Sequence, residues 1–94
     1  MSYETNTADV ANLVKTGGRL GKFFVRTSDL ELMAKQYNSD LFDDMVVLRA
    51  RFLRRRGVVE YVAQHPRFQQ IQPYQRIPVY QVISGKISFV ATGI

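Results

Sequence analysis

The chain has no cysteine, no tryptophan, three prolines and a single histidine. Without cysteine there are no disulfides, no thiolate zinc sites and no cysteine nucleophiles, which suits a cytoplasmic protein or a particle assembled in the cytoplasm. No run of about 18 apolar residues occurs, so no spanning helix and no membrane partner are expected. The opening residues, Met1 to Asn6, have neither a basic flank nor an apolar stretch and do not read as a signal peptide.

Catalytic signals are scarce as well. His65 lies between Gln64 and Pro66 with no nucleophile or orienting carboxylate marked nearby, and its expected role is a strand-end bond to backbone. Asp40, Asp43 and Asp44 lack the alternating ligands and central glycine of a calcium loop, and read as the solvated start of an element. The stretch Thr16-Gly17-Gly18-Arg19-Leu20-Gly21 lacks the Gly-Lys-Ser/Thr ending of a phosphate loop and reads as a loop leaving a helix. No catalytic residue, metal or cofactor is expected, and the chain is not read as an enzyme.

Acid is the other shortage. Residues 45–94 hold eight Lys or Arg and one acid, Glu60, whereas residues 1–44 hold five bases and seven acids. The net charge of +5 therefore comes wholly from the second half. Seven of those eight bases are arginine, the better residue for bidentate contact with phosphate or carboxylate and for stacking. A basic surface of this kind meets something anionic, either nucleic acid or an acidic protein face.

Ninety-four residues, 46% of them apolar, make one small core and one domain, helical over 1–44 and basic and β-rich over 45–94. Residues 7–15 read as a short helix capped by Thr7, with Val10, Leu13 and Val14 on one face. Residues 21–26 carry a weak strand signal. A second helix starts with Ser28 and Glu31 at capping-box spacing and continues through Leu30, Met33, Ala34 and Tyr37 to Asn38.

Residues 39–56 fit two patterns. As a helix, Leu41, Met45, Leu48 and Phe52 form a stripe, with aspartates at the start and arginines at the end. As a strand, Leu48, Ala50 and Phe52 alternate with Arg49 and Arg51. The next segment, 58–63, is rich in strand formers, and residues 54–57 suit a hairpin loop. Pairing Leu53 with Val58 sets Phe52 opposite Val59, Ala50 opposite Tyr61 and Leu48 opposite Ala63, with Arg51 opposite Glu60 on the other face. The hairpin is the expected form because one register satisfies both faces.

Residues 64–76 read as an irregular crossing anchored by Phe68 and Ile71. A second hairpin joins 77–83 to 86–91 through Ser84-Gly85, pairing Tyr80 with Phe89 and Val82 with Ile87. The expected fold is α+β: two short N-terminal helices on a small, mainly antiparallel four-stranded sheet of two hairpins.

The expected function is that of a non-enzymatic interaction protein, a subunit of a larger assembly such as a viral or ribonucleoprotein particle. It presents an arginine-rich surface to an anionic partner. The alternative is a nucleic-acid module that applies the 49–56 hairpin to the phosphate backbone. The residues expected to meet the anion are Arg49, Arg54, Arg55 and Arg56, widened by Arg67, Arg76 and Lys86. Phe68 and Tyr74 are the candidate stacking residues, since Phe52, Tyr61 and Tyr80 face the core in the proposed registers. Val79, Ile83 and Val90 are the candidate protein interface, for a partner chain or for self-association.

Overall fold

The computed structural model describes residues 17–35, 41–83 and 85–93. The helix expected over 7–15 lies outside the described residues, as do Tyr37, Asn38, Asp40 and Ser84.

Strand β1, Gly18–Arg26, is followed directly by helix α1, Thr27–Lys35. Strands β2, Val46–Leu53, and β3, Val58–Gln64, flank a 3-10 turn at Arg54–Arg56. A two-residue strand β4, Gln70–Ile71, precedes the second hairpin, β5 at Val79–Ile83 and β6 at Lys86–Gly93. The sheet runs β2-β3-β1-β5-β6, with β4 paired to β1 off that path.

This overturns the expected two helices on a four-stranded sheet. Among the described residues there is one helix, and the sheet has six strands and is mixed, because β1 pairs antiparallel with β3 and parallel with β5. The main source of error is β1. Its sequence, GRLGKFFVR, is broken by two glycines and three cations that weaken local strand propensity, yet pairing on both sides fixes it at the sheet centre. Residues 18–21 are accordingly strand, not a loop leaving a helix.

Gly21 is needed there for space. A Cβ at that position would come within 2.7 Å of the Phe68 ring, which is fully buried across it. Phe68 stacks on Tyr80 with ring centroids 4.6 Å apart, and the Tyr80 hydroxyl accepts the Gln69 N–H at 2.8 Å. The irregular crossing after β3 is thus anchored by Phe68 and Ile71, both buried, as the sequence suggested.

The first hairpin keeps its expected register from Leu53↔Val58 to Arg49↔Val62, then departs from it. A β-bulge between Val47 and Arg49 sets Val47, not Leu48, opposite Ala63. Leu48 therefore leaves the face of Ala50 and joins Leu20, Val62 and Ile71 on the other. Phe52, assigned to the core, is more than half exposed because it lies on the outermost strand near the turn. The second hairpin keeps Val82↔Ile87, but β6 carries extra residues that move Tyr80 from Phe89 to Ala91.

Both sheet faces hold apolar clusters of unequal size. One face packs Phe23, Val25, Ala63 and Tyr80 under Leu41, Phe68 and the half-buried Leu30 of α1. The other has, among the described residues, only Leu20, Leu48, Val62 and Ile71, with Ile77 against them. That small cluster covers one end, and toward the hairpin turn the same face changes character.

Candidate anion-binding face

Strand pleating puts directly paired residues on one face. Arg51 pairs with Glu60, which pairs with Phe24, and Arg49 pairs with Val62, which pairs with Lys22. One surface therefore carries Lys22, Phe24, Arg49, Arg51 and Glu60 across three strands. The one acid among these five residues is already shared. Arg51 Nη2 lies 3.3 Å from Glu60 Oε1, and Arg49 Nη2 lies 3.5 Å from the same oxygen. The Glu60 side chain is 6% exposed, that of Arg49 23% and that of Arg51 51%. A carboxylate this buried needs a partner, and the two guanidiniums supply it.

That geometry revises the expected division of labour. The expected hairpin puts Arg49 and Arg51 together on the face away from Ala50 and pairs only Arg51 with Glu60. Both arginines use Glu60, and Arg51 is the one that reaches water. Arg49 is more enclosed, its Nε buried without a hydrogen-bond partner.

Arg54, Arg55 and Arg56 form the exposed turn at the end of this hairpin. Gly57 closes it in the left-handed region at φ 62°, donating its N–H to the Arg54 carbonyl at 3.3 Å. The Gly57 carbonyl in turn accepts the Thr27 N–H at 3.0 Å, which ties the turn to the β1–α1 corner. Among the described residues, no acid lies within ion-pair distance of these three arginines. Arg56 does have a partner, its guanidinium carbon seated 4.9 Å from the centroid of the Phe24 ring. Arg26, at the end of β1, is paired with Asp29 at 3.1 Å.

The remaining expected site residues divide. Arg67 stacks on Phe89 at 4.2 Å and, with Lys86, lines a cleft of about 420 Å³ with Leu41, His65 and the exposed Asp43 and Asp44. Phe89 packs against the Phe23 cluster, so Arg67 lies across the sheet from Arg49 and Arg51, and Lys86 lies on β6, at the opposite edge of the sheet from β2, so neither widens their patch. Arg76 is exposed in the segment between β4 and β5, beside Ile77 at the covered end of the basic face. Phe68 is not a stacking platform, because its ring is enclosed by Tyr80, His65 and Phe89. Tyr74 is exposed, with φ at 63°. Of the candidate interface residues, Ile83 and Val90 are 58% and 72% exposed, and Val79 is half-buried.

His65 takes the role expected of it. Its Nδ1 accepts the Arg67 N–H at 3.0 Å and its own N–H donates to the Arg19 carbonyl at 3.3 Å.

Sequence reasoning missed Phe24 and Lys22. The alternation Lys22, Phe24, Arg26 is a basic–aromatic–basic period of two, and it would have found them had the weak strand over 21–26 been placed in the sheet.

Comparison of the chain with protein-family models, with curated proteins and with solved structures finds no match.

Proposed function

We propose that this chain is a non-enzymatic interaction protein that presents the β2–β3–β1 face and its arginine turn to an anionic macromolecule, as a subunit of a larger assembly. The observation that carries the reading is the charge balance of that surface. Lys22, Arg49, Arg51 and the Arg54–Arg56 turn gather on one side of the sheet, where the buried Glu60 answers Arg49 and Arg51 and, among the described residues, no acid pairs with Lys22 or the turn. Exposed cations without acids nearby raise the local positive potential and concentrate a polyanion.

Retention on immobilised heparin, eluted with a salt gradient, tests this. The chain should bind at about 50 mM salt and release as salt rises, and Arg54→Ala/Arg55→Ala/Arg56→Ala should elute markedly earlier. Failure to bind heparin at low salt, or elution of the triple variant with the parent, would overturn the reading.

Exposed Ile83 and Val90 support a second, compatible contact, with protein, on the β5–β6 hairpin. Light scattering after size-exclusion chromatography tests its self-association form. A concentration-dependent mass that Ile83→Ser/Val90→Ser returns to a monomer is expected, and a compact monomer at high concentration would argue against it.

A further inference from the structure

We infer that the anionic partner is a single-stranded nucleic acid, held by its phosphates on the arginines and by a base stacked at the Arg56–Phe24 pair. This rests on the polyanion reading above and specifies its ligand. Three observations lead to it.

The first is the pair itself. The Arg56 guanidinium carbon lies over the Phe24 ring, 4.9 Å from its centroid, which brings a planar cation and an aromatic ring together on the sheet. Guanidinium planes and aromatic rings are the two surfaces on which proteins stack unpaired bases. An acidic protein face would use the charge of Arg56 but has no use for the ring beneath it.

The second is placement. Phe24 pairs with Glu60, which pairs with Arg51, so the stack and the more exposed of the two Glu60-bound arginines stand on the same row of the sheet. Lys22 and Arg49 form the next row. Neighbouring strands are separated by about 4.8 Å, so a base at Phe24 lies within about 10 Å of guanidiniums suited to its flanking phosphates. The Arg54–Arg56 turn supplies further cations beside it.

The third is shape. The cations lie on a pleated sheet face and at its hairpin turn, with no helix among the described residues of that face to enter a major groove. A duplex hides its base planes inside the stack, leaving Phe24 with nothing to contact. A single strand offers phosphates and base planes together.

Fluorescence anisotropy decides the matter with four labelled probes: a 12-nucleotide oligouridylate, the matching oligothymidylate, a 12-base-pair mixed-sequence duplex and a heparin fragment. The single strands should bind at least about tenfold tighter than the duplex at equal salt. Phe24→Leu, which keeps an apolar side chain but removes the ring, should weaken single-strand binding by about tenfold and leave heparin binding unchanged. Arg56→Lys keeps the charge and removes the plane, and should weaken single-strand binding to a similar extent with an unaltered salt slope. Thermal melts of both variants confirm that they are folded at the assay temperature. Equal affinity for duplex and single strand, or single-strand affinity that both variants leave intact, would overturn the inference while leaving the polyanion reading in place. Loss of heparin binding by the parent chain would overturn both. Oligouridylate against oligothymidylate then separates an RNA ligand from a DNA ligand.

Discussion

Glu60→Gln should weaken the fold and strengthen anion binding at once. The substitution keeps the shape of a side chain that is 6% exposed and removes the charge facing two guanidiniums. Arg51 is half exposed, so its contact is worth at most about 1 kcal/mol. Arg49 is 23% exposed and charge-assisted, and its contact at 3.5 Å belongs near the lower end of the charged range, about 1.5–2 kcal/mol. Together the loss comes to about 2–3 kcal/mol, a fall in Tm of about 10–20 °C for a domain this size. Urea or thermal unfolding measures it, and a double-mutant cycle apportions it. Coupling of Glu60→Gln with Arg49→Met should exceed that with Arg51→Met, which should stay below about 1 kcal/mol. On the binding side, freeing Arg51 adds one available cation, so the slope of log affinity against log salt should steepen by about 0.7–0.9. A Tm within about 4 °C of the parent, or stronger coupling to Arg51 than to Arg49, would refute the claim that Glu60 is the electrostatic anchor of this face. An unchanged salt slope would refute the claim that Glu60 withholds Arg51 from the partner.

Two further changes test the packing that supports the site. Gly21→Ala drives a methyl into the enclosed Phe68 ring at 2.7 Å and should cost about 1–3 kcal/mol by urea unfolding, and a neutral result would mean that the ring moves freely. Tyr80→Phe leaves the Gln69 N–H without its acceptor and should cost about 1–3 kcal/mol, whereas a loss below about 0.5 kcal/mol would show that water takes over the bond.

The first hairpin was legible because cross-strand pairing imposes two conditions together, an apolar face and a charge match between Arg51 and Glu60. Its bulge was not, since Leu48 satisfies either face by composition and only the cluster of Leu20, Val62 and Ile71 on the far side decides. The Tyr80 register failed for a similar reason, because Phe89 and Ala91 are both apolar and two positions apart on β6. β1 showed only as a weak strand over 21–26 and its central place in the sheet was the costly miss, as its stability is almost entirely tertiary. The arginine cluster could be found from composition and its turn from Gly57, but Phe24 became visible only once β1 stood beside β3. Burial removed Phe68 from the site, a property that depends on what the crossing packs against and not on its own sequence.

The parallel contact between Lys22 and Val79 also sets a schedule for biosynthesis. β1 is the first of the described strands to be made, yet its two neighbours along the sheet, β3 and β5, come later, and the Val79 contact closes about 57 positions downstream. At about 5–20 residues per second the central strand waits about 3–11 seconds on the ribosome with one edge or both unpaired. The two hairpins are local and close at once, but they share no border until β1 joins them. A nascent chain that stalls before Val79 therefore exposes Phe23 and Val25 on an open strand, and chaperone capture should peak in that window.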